Sequence, residues 1–335
     1  MNTALMRVGT FFVVGIFLLA LAPSIANATT VDSRPTLGQL EGEIAASVKI
    51  KDAPPLVKLI PNLSTNDSTS TMVPMPSTCY GSWPPSATQP IPKDVTTQCE
   101  WGDTAAIRSI VLMGDSQASM WLPAFNSLGR DLGWKIIFIA KKSCSPWITN
   151  SQSMSDSANV YSNTACKAFV KSEIKFVNSI RPTVVIPVGL QVVSANNEVT
   201  EAQDEIATAK TIAAMKPSGS KILLLQGFSW AFSGITPQEC LTIHATDLPG
   251  CEVTRSELSG YPVISGLNAA ATKEHIGVVP TLKLFCTARL CPIFVKARTG
   301  DHLVYFDLGH MNNQYSVWIS RALETLMQPY LPSST

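Results

Sequence analysis

The sequence lacks the features by which proteins bind nucleic acids. It has no run of basic residues and no stretch in which basic and aromatic side chains alternate. The 25 Lys and Arg residues are balanced by 24 Asp and Glu residues, which gives a formal net charge of +1. Because binding to phosphate backbones requires a positive patch, we expect no nucleic-acid partner. The chain also has no internal repeat.

The sequence also lacks the residue spacing that metal sites need. No C-x-x-C motif occurs, and neither His244 nor His275 has a second ligand at a metal-binding distance along the chain. A structural or surface role explains these two histidines better than ligation does. We therefore expect neither a metal nor another cofactor.

Beyond the N-terminus, no segment is apolar over the length that a membrane-spanning helix requires. The N-terminus itself resembles an export signal, with Arg7, an apolar run at 11–21 and an A-x-A cleavage site ending at Ala28. We predict that residues 1–28 are a cleaved signal peptide. An uncleaved anchor is the alternative, because the apolar stretch 8–28 approaches the length of a membrane span. In either case the chain is expected outside the cytoplasm, secreted or on the periplasmic or cell-wall side.

The chain of 335 residues, 45% of them hydrophobic, can form one full domain with an N-terminal extension. We assign residues 29–105 to the extension, which is rich in Pro, Ser and Thr, and residues 106–330 to the domain. Short Val, Ile and Leu runs alternate there with helical patterns, which indicates a parallel sheet covered on both faces. The fold class is α/β, a doubly wound, flavodoxin-like parallel sheet of about five strands. The predicted strands are 110–113, 135–140, 183–188, 221–225 and 277–280, and the predicted helices are 119–132, 164–180, 201–215, 256–273 and 313–327.

One stretch, 108–118, has the pattern of a buried strand, a sharp turn at Gly114-Asp115-Ser116 and the start of a helix. A serine at that junction lies at a helix N-terminus, where unpaired backbone N–H groups favour negative charge. Acyl transfer needs this arrangement, because the attacked carbonyl oxygen becomes an oxyanion beside the nucleophile. The alternative is a structural turn in which Ser116 only caps the helix. Ser116 is therefore a candidate nucleophile.

The other end of the chain offers a candidate base. Asp307 and His310 stand three residues apart before the last predicted helix, so the carboxylate can orient the imidazole toward a serine from another loop. Ser229 is the rival nucleophile, but the residues after it have a loop pattern and provide no helix N-terminus. His302 is the rival base, but adjacent residues on a strand point to opposite faces, so Asp301 is poorly placed to orient it. A surface pair is the expected role of Asp301 and His302.

Taken in order, these motifs resemble SGNH (GDSL-type) hydrolases, and most of all the SGNH domain at the C-terminus of membrane-bound sugar O-acyltransferases. The matching landmarks are C-E-W-G-D at 99–103, G-D-S-Q-A at 114–118, W-L-P-A at 121–124, K-S-C-S-P at 142–146, Cys166, E-C-L at 239–241, Cys286, Cys291, Asp307 and His310. The resemblance implies the fold predicted above. It also implies that Ser116 is the nucleophile, His310 the general base and Asp307 the carboxylate that orients it.

The resemblance further implies an oxyanion hole built from three loops. The implied donors are Ser116, Ser143, Gly189 and Gln191. The family often has Asn in the third loop, and Gln191, which stands nearest to that place, has the same amide on a longer arm. Asn196 and Asn197 are alternatives. Gln117 stands where the relatives often have His.

Eight cysteines, an even number in a chain with an export signal, indicate disulfide bonds. Sequence alone does not determine their connectivity. The resemblance points to pairing between neighbours, namely Cys79 with Cys99, Cys144 with Cys166, Cys240 with Cys251, and Cys286 with Cys291.

By the same resemblance we expect an exported, serine-dependent O-acetyltransferase or acetylesterase that acts on cell-surface carbohydrate through an acyl-Ser116 intermediate. The membrane portion that supplies acyl groups in those relatives is not found among these residues. A transferase role is therefore expected to need a separate membrane acyl-donor protein, whereas an esterase role is not. The non-enzymatic alternative is a catalytically silent carbohydrate-binding module, which the replacement of Asn by Gln191 would favour.

Overall fold

A computed structural model describes residues 32–63, 75–76, 78–81, 98–142, 144–148, 163–189, 200–226, 235–258, 263–307 and 309–332. From Ser33 onward these residues belong to one compact unit, and the predicted signal peptide lies outside the described residues. The helices are α1 (Leu37–Ser47), α2 (Ser116–Leu132), α3 (Asn163–Ile180), α4 (Glu201–Met215), α5 (Pro237–Ile243), α6 (Arg255–Leu258), α7 (Val263–Glu274), α8 (Asn313–Trp318) and α9 (Ser320–Met327). The strands are β1 (Leu59–Ile60), β2 (Tyr80–Gly81), β3 (Glu100–Gly102), β4 (Ser109–Gly114), β5 (Lys135–Lys141), β6 (Val184–Val188), β7 (Lys221–Leu225), β8 (Val253–Thr254), β9 (Gly277–Val279), β10 (Leu290–Cys291), β11 (Phe294–Ala297) and β12 (Gly300–Leu303).

The fold is centred on a seven-stranded sheet. Its parallel strands follow the order β2-β5-β4-β6-β7-β9, and β3 pairs antiparallel with the start of β5. The five predicted strands are β4, β5, β6, β7 and β9, and their spatial order is second, first, third, fourth, fifth. That is the flavodoxin-like order, so the predicted fold class is confirmed. The sheet has more strands than predicted, because β2 and β3 are too short to show a pattern in the sequence.

Burial explains why the central strands have unbroken apolar runs. The side chains from Ile110 to Met113 on β4 are completely buried, as are those from Val184 to Ile186 on β6. Helices α2 and α3 both pack against β4 and β5, and α4 packs against α7. A strand that is covered on both faces has no polar side, and this is typical of parallel sheets.

Several helix boundaries differ from the predictions. Helix α2 begins at Ser116 and not at 119, because Asp115 caps it. The predicted helix 313–327 is two helices, α8 and α9, that meet at Ile319. The predicted helix 256–273 corresponds to α6 and α7, and residues 259–262 between them lie outside the described residues.

The N-terminal segment contributes to the core. Helix α1 begins with a capping box formed by Thr36 and Gln39, and its Leu40 and Ile44 are fully buried. Strand β1 pairs parallel with β12, which in turn pairs antiparallel with β11, so these three strands form a second sheet. The described residues between 33 and 105 therefore belong to the same compact unit as the main sheet.

All eight cysteines form disulfide bonds between neighbours along the chain. The pairs are Cys79–Cys99, Cys144–Cys166, Cys240–Cys251 and Cys286–Cys291. This is the connectivity that the family resemblance implied. Within the described ranges, no helix combines the length and the apolar character that crossing a membrane requires.

Candidate active site

The turn that presents Ser116 depends on a glycine. Gly114 ends β4 with φ +143°, a conformation that side chains with a Cβ rarely adopt, and a Cβ there would collide with the carbonyl oxygen of Val188 on β6. The backbone N–H of Asp115 donates to that same carbonyl at 3.3 Å. The chain therefore leaves the sheet at close range to β6, and Ser116 follows immediately.

The cap of α2 is Asp115, and the reading of Ser116 as N-cap is wrong. The buried Asp115 carboxylate accepts a hydrogen bond from the backbone N–H of Gln117 at 2.8 Å. Asp is among the preferred N-cap residues, so the G-D-S motif contained this signal. Since Asp115 takes the capping role, the Ser116 side chain is left available for chemistry.

Ser116 lies where a doubly wound sheet binds its ligands. It follows the carboxyl end of β4, whose two neighbours β5 and β6 lie on opposite sides, and this is the topological switch point of the sheet. As the first residue of α2, it has a backbone N–H without a carbonyl partner inside the helix. The half-buried hydroxyl therefore stands beside the positive end of a helix dipole.

The structure brings Ser116, His310 and Asp307 together. The Nε2 atom of His310 lies 2.8 Å from the Oγ atom of Ser116. The Nδ1 atom of His310 lies 2.8 Å and 2.9 Å from the two carboxylate oxygens of Asp307. These distances are those of hydrogen bonds, and the order serine, imidazole, carboxylate is that of an acyl-transfer triad.

The charge on Asp307 follows from its surroundings. Burial raises the pKa of Asp307, but the hydrogen bond and charge of His310, together with the backbone N–H groups of Gly309 and His310, more than offset this and lower it. The carboxylate is therefore ionised at neutral pH and can only accept hydrogen bonds. Nδ1 of His310 is therefore the donor to Asp307, and Nε2 is the ring nitrogen that faces Ser116 and can accept its proton during the reaction.

The base lies on a closed loop. Tyr305 and Met311 form an antiparallel bridge, and the N–H of Phe306 donates to the carbonyl of His310 at 2.8 Å. Inside this loop the N–H groups of Gly309 and His310 both donate to Oδ1 of Asp307, at 2.8 Å and 2.9 Å. The Asp307 carboxylate therefore closes the turn that places His310 three residues later.

Sequence reasoning missed the side chain that joins this loop to α2. Nε2 of Gln117 donates to the carbonyl oxygen of Gly309 at 2.5 Å, and the Gln117 side chain is buried. The only signal in the sequence was a departure from the family pattern, at the residue after Ser116. The contact spans 192 positions in the chain, which no local pattern encodes.

Two buried ionisable side chains behind the turn, Glu173 and Lys141, were missed as well. Burial raises the pKa of Glu173 on α3 well above its ordinary value, and the nearby Asp115 raises it further, against the effects of Gly114 and Lys141. Burial also lowers the pKa of Lys141, at the end of β5. The Glu173 carboxyl group therefore packs under the nucleophile turn, where burial favours its protonated form.

Of the other predicted oxyanion donors, only Gly189 lies among the described residues. A Cβ on Gly189 would be 2.5 Å from Cδ of Pro146 and 3.0 Å from Oδ2 of Asp115, so the backbone after β6 packs closely against the nucleophile turn. Its carbonyl oxygen accepts a hydrogen bond from the indole of Trp147 at 3.0 Å. The remaining candidates lie outside the described residues: Ser143, Gln191, Asn196, Asn197 and the rival nucleophile Ser229.

The expectation of a surface pair at Asp301 and His302 is wrong. His302 is buried, its ring stacks on Trp318 at 4.0 Å between ring centroids, and its Nε2 lies 2.8 Å from Oγ1 of Thr299. The residue belongs to β12 of the small sheet, which pairs with the distant strand β1, and Trp318 of the nearby helix α8 covers its ring. Among the described residues, no group of three His, Cys, Asp or Glu side chains could hold a metal ion.

The chain is similar to a known protein family and to several solved structures. The family model described as "SGNH domain (fused to AT3 domains)" matches residues 79–325. No curated protein sequence matches the chain. Among solved structures, the chain is similar to the periplasmic domain of a lipopolysaccharide acetyltransferase from Salmonella ser. Paratyphi A, with a TM-score of 0.52 and 14% identity over 75% of this chain and 90% of that chain.

Two other solved structures are more distantly similar. One is an α/β hydrolase enzyme from the metagenome of Lake Arreo, Spain, with a TM-score of 0.39 and 13% identity over 68% of this chain and 98% of that one. The other is TesA, with a TM-score of 0.37 and 13% identity over 67% of this chain and 100% of that one. The family model, by contrast, covers most of the chain, so the chain belongs to the SGNH domains that occur fused to AT3 domains, a family of acyl-transfer and esterase enzymes.

Proposed function

We propose that this protein is an exported acyl-transfer enzyme that moves an acetyl group onto or off cell-surface carbohydrate through an acyl-Ser116 intermediate. The observation that carries the proposal is the chain of hydrogen bonds from Ser116 through His310 to Asp307. A structural serine needs no imidazole oriented by a carboxylate, whereas a nucleophilic serine does.

The reaction has two halves. In the first, Oγ of Ser116 attacks the acyl carbonyl, its proton passes to Nε2 of His310, and the leaving alcohol takes that proton as the ester bond breaks. In the second, His310 removes a proton from the acceptor, whose oxygen attacks the acyl group; the bond to Oγ of Ser116 then breaks, and His310 returns the proton to that oxygen. Water as acceptor makes the enzyme an esterase, and a sugar hydroxyl makes it a transferase.

The location and the substrate class rest on separate arguments. Four disulfide bonds support an oxidising compartment outside the cytoplasm, in line with the predicted signal peptide. The carbohydrate substrate is proposed from the resemblance to sugar O-acyltransferases, and the lipopolysaccharide acetyltransferase domain shares the fold. A transferase role would use a separate membrane protein as the source of acyl groups.

The test is incubation of the purified protein with a small activated acetyl ester, followed by mass spectrometry of the Ser116 peptide. We expect acetyl-Ser116 in the wild type and none in Ser116→Ala. Addition of a cell-surface glycan then separates the two roles. A transferase releases the acetyl group faster when the glycan is present, whereas an esterase releases it to water at the same rate. A wild-type protein that never acylates Ser116 would refute the proposal.

A further inference from the structure

Two hydrogen bonds run side by side between the start of α2 and the base loop. One joins Oγ of Ser116 to Nε2 of His310 at 2.8 Å. The other joins Nε2 of Gln117 to the carbonyl oxygen of Gly309 at 2.5 Å. Together, the two links join the adjacent residues Ser116 and Gln117 of the helix to the adjacent residues His310 and Gly309 of the loop.

The second link controls the peptide unit that carries His310. The N–H of this Gly309–His310 peptide donates to Oδ1 of Asp307 at 2.9 Å, and its carbonyl accepts from Gln117. The peptide plane is thus held at both ends. Without the Gln117 donor the carbonyl of the buried Gly309 would lose its partner, and rotation of the peptide toward water would also pull the N–H away from Asp307.

Gln117 is itself held firmly. Its backbone N–H donates to the capping carboxylate of Asp115 at 2.8 Å, and its side chain is 4% exposed. The arm that reaches Gly309 therefore starts from a fixed point next to the nucleophile.

The two links differ in what happens to them during the reaction. When Ser116 carries an acyl group, its hydroxyl proton is gone, so the Ser116–His310 hydrogen bond cannot exist. The Gln117–Gly309 bond takes no part in the chemistry and persists. We propose that Gln117 is a positioning residue that keeps His310 in place while Ser116 is acylated, so that the base can activate the acceptor. This inference rests on the proposed function.

The predicted signature is an unequal effect on the two half-reactions. In Gln117→Leu, acylation should fall less than about tenfold, because the Ser116 hydroxyl still holds the imidazole. Deacylation should fall about a hundredfold, the typical effect of misplacing a catalytic group by about an ångström. The acylation rate is measured as the burst of p-nitrophenol from p-nitrophenyl acetate. The deacylation rate is measured as the loss of acetyl-Ser116 by mass spectrometry after excess ester is removed.

A matched control lies on the same helix. Oδ1 of Asn126 accepts a hydrogen bond from the N–H of Gly102 at 2.9 Å, far along α2 from the loop. Asn126→Leu also removes one bond between an amide side chain and the backbone, so it reports the effect of a weakened helix contact. We expect it to lower the melting temperature while both half-reactions keep wild-type rates.

A second variant tests the donor directly and serves if Gln117→Leu does not fold. In Gln117→Glu the side chain keeps its shape, but the ionised carboxylate cannot donate to the Gly309 carbonyl, whereas the protonated form can. The ratio of its deacylation rate to that of the wild type should therefore fall as pH rises. The ionisable groups beside position 117 are Asp115, Asp307 and His310, and they are the same in both proteins, so the ratio largely removes their contribution.

The outcomes distinguish this inference from the proposed function. If the wild type is acylated and both Gln117 variants slow the two half-reactions equally, or not at all, Gln117 is structural and only the inference is overturned. A ratio for Gln117→Glu that does not change with pH overturns it as well. If the wild type is never acylated, the proposed function fails, and the role of Gln117 fails with it.

Discussion

Asp204 gives the sharpest prediction about stability. This residue lies in the first turn of α4, where Gly266 of α7 packs so closely that a Cβ on the glycine would be 2.6 Å from Cβ of Asp204. The carboxyl group is only 1% exposed as a result. Burial raises its pKa from 3.8 to about 7, although a hydrogen bond from the backbone of Leu267 lowers it.

Because its pKa is raised in the folded protein, Asp204 makes the protein less stable as pH rises. The group contributes its full stability below pH 3.8, and that contribution is lost as pH rises to about 7. At about 1.36 kcal/mol per pKa unit, the interval corresponds to about 4 kcal/mol of free energy of unfolding. Asp204→Asn cannot ionise and so avoids this loss, but its buried amide donors cost about 1–3 kcal/mol. The variant should therefore be less stable than the wild type at pH 4 and more stable, by about 1–3 kcal/mol, at pH 8.

The assay is urea unfolding with the disulfides intact, followed by circular dichroism at several pH values. Thr208→Val is the control, because this fully buried hydroxyl lies one turn along the same helix and does not titrate. Its stability difference from the wild type should be the same at pH 4 and pH 8. If the difference in free energy of unfolding between Asp204→Asn and the wild type is also independent of pH, the Asp204 carboxyl group does not cause the loss of stability at high pH.

Three further predictions concern the triad, a histidine and the disulfides. Ser116→Ala and His310→Ala should each lower turnover of an acetyl ester on the order of a millionfold, and Asp307→Asn roughly ten-thousandfold, with unchanged circular dichroism; an active Ser116→Ala protein would refute the assignment. Burial lowers the pKa of His302 from 6.5 to about 4, so stability present above pH 6.5 should fall by about 3 kcal/mol as pH drops to 4. His302→Phe can keep the stack on Trp318 but cannot ionise, so its melting temperature should fall less between pH 6.5 and pH 4 than that of the wild type. An equal fall in both proteins would exclude His302 as the cause. Reduction of the four disulfides should lower the melting temperature, since each typically contributes about 2–4 kcal/mol, and thiol titration before reduction should find no free thiol.

The sequence allowed much of the fold to be predicted, because parallel strands that are buried on both faces appear as unbroken apolar runs. The β4 and β7 runs are apolar at nearly every position, and a helix follows each of them, so their order along the chain was visible. Strands of two or three residues, such as β2, have no periodicity to detect. They exist because a neighbour, here the end of β5, offers free backbone groups.

Some features of the candidate site could be predicted from local sequence patterns, and others could not. The turn at Ser116 and the spacing of Asp307 and His310 are local features, so the sequence predicted the residues that the structure brings together. The role of Gln117 depends on a contact 192 positions away in the chain, and no local pattern encodes it. A neighbouring acidic residue suggested a surface pair at His302, but the stack on Trp318 of α8 and the pairing of β12 with the distant strand β1 place this residue in the interior.

The pairing of β1 with β12 also bears on the order in which the molecule assembles. It joins Leu59 to Asp301, which are 242 positions apart (301 − 59), whereas β4 and β5 are joined by one helix. Contacts between distant segments form late, because closing a long loop reduces chain entropy before any contact compensates for it. A partly folded chain would then present Ser116 on a finished strand–turn–helix unit while β12, the strand that leads to the base loop, pairs with β11 alone. Such an intermediate would be inert, so the return of activity during refolding reports the last contacts of the fold and not the formation of its sheet.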